Sequence, residues 1–185
     1  MTNLLKSMAF RRGAVLAATV FATGSLVAGG HGGAADNVLP QVANAKWQAE
    51  CAACHTLYHP GLLPARSWQA IIAGLDRHFG ENATLDPATR DEIARFLDVN
   101  AADRNGNRRS ARIVASISAT ATPLRASETR YLRAKHDELG AAIWRRPAVG
   151  SAANCGACHR GASRGDFAER DVAIPSSGAV ATAVK

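Results

Sequence analysis

Beyond residue 8 this chain of 185 residues contains no methionine; Met1 and Met8 are the only two. Aromatic residues are few, 5% of the chain, and they do not alternate with basic residues as a nucleic-acid recognition surface would require. After residue 35 no apolar run approaches the roughly 20 residues that a helix needs to cross a bilayer. No segment alternates apolar and polar side chains for long enough to read as a half-buried strand, so the expected class is all-α with long irregular loops. Cysteine is scarce as well. There are four, and their placement organises everything else.

All four cysteines lie in two pentapeptides, Cys51-Ala-Ala-Cys54-His55 and Cys155-Gly-Ala-Cys158-His159. Cys-x-x-Cys-His is the signature of covalent c-type haem attachment. Two thiols add to the two vinyl groups of a haem, and the adjacent imidazole reaches the iron from the same side. Other readings of the four cysteines explain less. A structural zinc site places its Cys-x-x-Cys arms about 15–20 residues apart, whereas a domain's length of chain separates Cys54 from Cys155. A thioredoxin-like pair or two short-loop disulfides would leave the paired histidines unexplained. The expected cofactors are two covalently attached c-type haems.

Residues 1–35 read as a secretory signal. Lys6, Arg11 and Arg12 form a charged start, Gly13 to about Gly30 is apolar, and Gly33-Ala34-Ala35 offers small residues for cleavage. An uncleaved anchor is the alternative, although a run so rich in Gly, Ala and Thr would span a bilayer poorly. The expected location is therefore the periplasm. The chain has 22 Lys and Arg against 15 Asp and Glu. Three of the basic residues lie in the signal, and haem propionates would offset most of the remaining excess. The basic balance is thus weak grounds for a nucleic-acid partner, but it allows a modest positive patch for docking.

The remaining chain suits two small haem-binding halves better than one large core. The expected division is 36–107 with the first haem, a Ser/Ala/Thr-rich linker at 108–126, and 127–185 with the second haem and a loose tail. In the first half, Ala43 to Cys54 reads as a helix delivering the thiols. Trp68, Ile71, Ile72, Leu75 and Phe79 form an apolar stripe on a second helix from about Arg66 to Phe79. Asp86-Pro87 is an N-cap followed by proline at the first helical position, opening a third helix that fades at Asn100. In the second half, Ser127 to about Trp144 is expected to be one helix carrying Leu132, His136, Leu139 and Ile143.

An electron-transfer haem needs a second axial ligand, ordinarily methionine or histidine. Methionine is excluded, because both copies lie in the signal. Of six histidines, His31 leaves with the signal, while His55 and His159 are the proximal pair. His59, His78 and His136 remain for two places. His78 and His136 both occupy positions where an aliphatic residue would continue a helical stripe, so they are the expected ligands of the first and second iron. His59 is tethered too closely to His55 to reach the far side of the same haem; it could reach the other haem as a less favoured axial ligand, and reads first as a loop histidine. Two histidines per iron predict low reduction potentials and no open coordination site. Arg66, Arg160 and Arg164 are candidate propionate partners.

The chain also resembles the periplasmic dihaem cytochrome c family, the one associated with a small oxygen-binding monohaem cytochrome. The resemblance lies in Trp47 with Glu50-Cys51 to His55, in Gly61-Leu-Leu-Pro-Ala-Arg-Ser-Trp68, and in His78-Phe-Gly-Glu-Asn-Ala83. It continues through Asn100-Ala-Ala-Asp103, Lys135-His-Asp137, Asn154-Cys155 to His159, and Ile174-Pro175. It implies a class I cytochrome c-like first domain, a less regular second domain, and bis-histidine ligation of both haems. It further implies a monohaem oxygen-binding cytochrome as acceptor and a membrane cytochrome b as donor. His59 departs from the family pattern, which has proline there. Together these features point to an electron carrier with no bond-making chemistry, not an enzyme. The alternatives are a haem enzyme (a peroxidase or small-ligand reductase) with one open iron site, and an electron-entry subunit of a membrane complex.

Overall fold

The computed structural model describes residues 38–179, and the expected signal at 1–35 lies outside them. The described residues all belong to one compact unit and contain helices, 3₁₀ turns and isolated bridges but no strand. The expected all-helical class with long loops is therefore the observed one.

Helix α1, Ala45–Cys51, opens on Asn44, whose side chain accepts from the Trp47 N–H. It ends on the first haem-motif cysteine. Helix α2 spans Ala65–Ala73 and α3 spans Pro87–Val99. The Asp86 side chain caps α3 by accepting from the Thr89 N–H, and Asn100 closes it, as the sequence predicts. Trp47 meets Phe96 at 5.0 Å between ring centres, joining α1 to α3, while α2 packs on the same helix. Ile93 and Leu97 line the inner side of α3 and are fully buried. Each such side chain contributes about 1.5–3 kcal/mol.

The Gly61–Trp68 block is held on several sides. Trp68 donates its indole N–H to the Pro60 carbonyl at 2.7 Å, and Asp103 accepts from the Ala65 N–H at 2.9 Å. Ser110 donates to the Gly61 carbonyl at 2.9 Å. A Cβ at Gly61 would lie 2.8 Å from Asn105 and from Ser110, so a larger residue there would push the two segments apart.

Several expectations need revision. The stretch 108–126, expected to link the halves, opens with helix α4, Arg108–Ala115. Its Ile113 is fully buried, and it packs against the turn Pro60–Leu62 and against α5. The helix expected over 127–144 is broken into α5, Arg130–Ala134, and α6, Ala141–Trp144, with Thr129 as the cap of α5 in place of Ser127. The chain leaves the helix at Lys135, Gly140 caps the start of α6, and Leu132, His136 and Leu139 line a cavity. The helix expected to reach Phe79 stops at Ala73 before Gly74, and Leu75–Arg77 form a 3₁₀ turn. The tail is tied down as far as Pro175. Ala173 donates to the Cys158 carbonyl at 2.9 Å, and Arg146 donates to the Pro175 carbonyl at 2.6 Å.

Candidate haem sites

The first motif begins where α1 ends. Cys51 is half-buried, and burial, helped by Glu50, pushes its thiol up to about 11. Cys54 and His55 lie in the exposed turn that follows. His55 donates from Nδ1 to the Thr56 carbonyl at 2.8 Å, which leaves Nε2 for another partner. This backbone bond is the usual means of fixing the tautomer of a metal-ligating imidazole.

His78 comes from a turn rather than a helix face. Phe79, directly after it, has φ +54, a left-handed conformation uncommon for a bulky residue, and Gly80 follows at φ +106. Strain of this kind tends to gather at functional sites. The turn sets the His78 ring 6.1 Å from that of His55, with the planes 24° apart. Phe79 packs edge-on against His78 at 4.8 Å and lies beneath the Arg125 guanidinium at 4.1 Å. Burial, then the nearby His55, lowers the pKa of His78, so the neutral form that can bind a metal is favoured.

The second motif sits on the 3₁₀ turn Cys155–Ala157. His136 and His159 lie 6.0 Å apart with planes at 88°. His136 donates from Nδ1 to the Leu132 carbonyl at 2.7 Å. His159 packs on Phe167 at 5.5 Å, and its Nδ1 is buried without a protein partner. Burial depresses the pKa of His159, as do His136 and Arg109. A cavity of about 700 Å³ is lined by Cys155, Cys158, His136 and His159 together, with Trp144 and Phe167 among its apolar walls. That lies within the 300–1,000 Å³ or so of a cofactor-sized site.

The spacing of the imidazoles is itself a test of fit. Metal–imidazole bonds of about 2.0–2.1 Å, with each nitrogen about 1.1 Å from its ring centre, put two rings on one metal about 6 Å apart. Stacked rings in direct contact approach to about 3.5–4 Å, and edge-on rings meet at about 4.5–7 Å. The near-parallel His55–His78 pair is wider than a stacked contact, and the spacing of both pairs is that of two imidazoles on one metal. The residues present therefore fit a haem at each motif, with Cys51 and Cys54 or Cys155 and Cys158 available as covalent anchors. Such a group supplies one-electron chemistry, its iron passing between ferric and ferrous. The protein's part is to fix the imidazole planes and exclude solvent. The other readings of the cysteines find no support. Among the described residues no three His, Cys, Asp or Glu side chains converge as a metal-ion site, and all four thiols are free of disulfides. The thiols of Cys155 and Cys158, like that of Cys51, are raised by burial, the opposite of a reactive redox pair.

His59 lies in a loop, as expected, but in a buried one. It is 2% exposed, and both ring nitrogens are engaged within the protein. Nε2 donates to the Pro40 carbonyl at 2.8 Å, and Nδ1 accepts from the Gly61 N–H at 2.9 Å. Gly165 passes so close that a Cβ there would lie 2.8 Å from the imidazole. His59 thus pins three segments together.

Sequence reasoning did not identify the residues that join and line the sites. Tyr58 packs edge-on against His55 at 5.3 Å and donates its hydroxyl to the Ala153 carbonyl. Thr56 donates to the Asn154 side chain at 3.3 Å, so the chain after the first motif touches the chain leading into the second. None of the expected propionate partners lines the cavity at the second motif. Arg66 donates to the carbonyls of Ala121 and Ser118, and Arg160 and Arg164 are exposed and do not line the cavity. Arg109 does line it. Nothing in the Arg-rich run around Arg109 distinguishes it before folding.

The sequence matches the dihaem cytochrome c family over residues 47–167. Among solved structures, a dihaem cytochrome c from Rhodobacter sphaeroides is 44% identical at a TM-score of 0.62, covering 70% of this chain and 99% of that one. Another structure of that cytochrome, purified from Rhodobacter sphaeroides, is 42% identical at 0.57, over 69% and 100% of the two chains. The dihaem cytochrome type c from Shewanella baltica OS155 is 37% identical at 0.58, over 74% and 95%. No curated protein matches the sequence. With this extent of match, and with four cysteines, the chain belongs to the dihaem cytochrome c family, a haem electron-transfer protein with two covalently bound c-type haems.

Proposed function

We propose that the protein is an exported carrier that moves electrons at low potential through two bis-histidine haems. His55 and His78 would hold the first iron, and His159 and His136 the second. The observation that carries this reading is the pairing of each motif histidine with a second imidazole at a ring separation of 6.1 or 6.0 Å. Histidine in place of methionine on both sides of an iron lowers the potential. A filled coordination sphere favours outer-sphere electron transfer over peroxidase or small-ligand chemistry. Among the described residues no helix is long and apolar enough to cross a membrane. The proposed partners are other cytochromes: a monohaem oxygen-binding cytochrome c as acceptor and a membrane cytochrome b as donor.

The test is a haem count with ferric spin-state and carbon monoxide assays on protein matured in a periplasm. Two covalent haems per chain, both low-spin and blind to carbon monoxide, are expected. A high-spin haem that binds carbon monoxide stoichiometrically would overturn the carrier reading in favour of an enzyme.

A further inference from the structure

Arg109 is a buried cation placed at only one of the two sites. It is the second residue of α4, where the Asn107 side chain accepts from its N–H at 2.9 Å and from that of Ser110 at 3.3 Å. The residue is only 6% exposed. Its guanidinium carbon lies 5.0 Å from the centre of the Phe167 ring and 5.9 Å from that of Tyr131. Phe167 is in turn 5.5 Å from His159, so the cation and the motif imidazole pack on the same aromatic ring. Arg109 also lines the cavity shared by Cys155, Cys158, His136 and His159.

Burial lowers the pKa of Arg109, with Tyr131, Glu169 and Asp166 acting to raise it and Arg112 to lower it. A guanidinium nevertheless stays charged at neutral pH. The cation near the first site is of another kind. Arg125 stacks on Phe79 from a half-exposed position and lies 3.8 Å from Glu128. Solvent reaches it and weakens its field, whereas Arg109, with Asp166 and Glu169 as its acidic neighbours, is buried.

We propose that Arg109 holds the His136–His159 site at a higher reduction potential than the His55–His78 site, so that in the singly reduced protein the electron rests at the second site. This rests on the bis-histidine reading above. A ferric haem between two neutral imidazoles carries a net positive charge that one electron removes. A fixed cation nearby favours the reduced form, and so does burial, which disfavours the charged one. A unit charge about 10 Å away at an effective dielectric constant of about 20 shifts such an equilibrium roughly tenfold. An electron delivered by an external one-electron donor then settles with the first site ferric and the second ferrous. No proton moves and no bond changes.

The two sites can be told apart by their ferric spectra. Imidazole planes at 88° leave the iron dπ orbitals nearly degenerate and give a highly anisotropic paramagnetic resonance signal. Planes at 24° split those orbitals and give a rhombic one. The experiment is a redox titration of the haem-loaded protein followed by paramagnetic resonance, on the wild type, Arg109→Gln and Arg109→Lys. In the wild type the anisotropic signal should vanish first on reduction. In Arg109→Gln its midpoint should fall by a roughly tenfold shift in equilibrium, about 59 mV, with a much smaller change at the rhombic centre. Arg109→Lys should keep the wild-type order.

Loss of the rhombic signal first, or equal midpoints, would overturn the proposal in the wild type without any variant. So would an unchanged anisotropic midpoint in Arg109→Gln, or a shift in Arg109→Lys as large as in Arg109→Gln, which would trace the effect to packing. A high-spin ferric signal in the wild type would instead overturn the bis-histidine reading itself.

Discussion

The two haem-binding halves solve one problem with very different amounts of protein. In the first, α1, α2 and α3 bury Trp47, Trp68, Ile93 and Leu97, and the imidazole pair stands at the exposed edge of that core. In the second, the helices shrink to Arg130–Ala134 and Ala141–Trp144, and the chain wraps a cavity of about 700 Å³. The first half supplies most of the one buried cluster, which also takes in Ile113, Ala126, Ala162 and Phe167, and presents its ligands on it. The second uses its apolar side chains as walls, so the bound group must complete its interior. This difference accounts for the regularity of one half and the irregularity of the other.

The largest expected effect comes from removing the anchors on each side in turn. Cys155→Ala with Cys158→Ala leaves one haem per chain and removes the group that fills the cavity at the second motif. Limited proteolysis should then cut within 127–179 while the helices of the first half persist. Cys51→Ala with Cys54→Ala should also leave one haem, but with far less loss of helical circular dichroism per haem removed. Equal sensitivity in both variants would remove the contrast.

Next come the second imidazoles. His78→Ala should convert only the near-parallel centre to high spin, and His136→Ala only the near-perpendicular one. Two intact low-spin centres in either variant would displace that residue from its proposed role.

A smaller effect on stability, with none on spin state, is expected at His59. Loss of its two hydrogen bonds and its packing should lower stability by about 2–4 kcal/mol, read from chemical denaturation. Its pKa is lowered by burial, partly opposed by the bond to Pro40. The neutral form is thus the folded one, and its contribution is complete above the ordinary histidine pKa of about 6.5 and lost as pH falls below it. The acid slope of stability in that window should therefore be shallower in His59→Ala. An unchanged slope would assign the titration to another group.

The smallest effect is expected where the halves meet. Tyr58→Phe keeps the ring beside His55 and loses the bond to Ala153, at about 1 kcal/mol. Its melting temperature should fall by a few degrees, with both low-spin signals retained.

What could be read before folding was chemistry carried by short, local patterns. Cys-x-x-Cys-His names its cofactor because the two thiols and the imidazole act within five residues. Asp86-Pro87 starts a helix because capping is a matter of neighbouring backbone groups. Elimination among few methionines and histidines singled out His78 and His136, and the fold sets each of them opposite a motif histidine. The reason for singling out His78 was incomplete, since a left-handed Phe79, not a helix face, aims its ring.

The remainder depended on chain segments far apart in sequence. The burial of the loop residue His59 could not be read locally, because it comes from the adjoining segments at Pro40 and Gly165, one before it and one far after it in sequence. The stretch around Arg108 looked like a polar linker, yet α4 buries Ile113 against parts of the chain that no local pattern announces. The 24° and 88° angles between imidazole planes, and the single buried guanidinium beside one pair, likewise arise from packing. Local bonding patterns determine which groups a chain can offer. Only long-range packing decides where those groups meet, at what angle, and in what electric field.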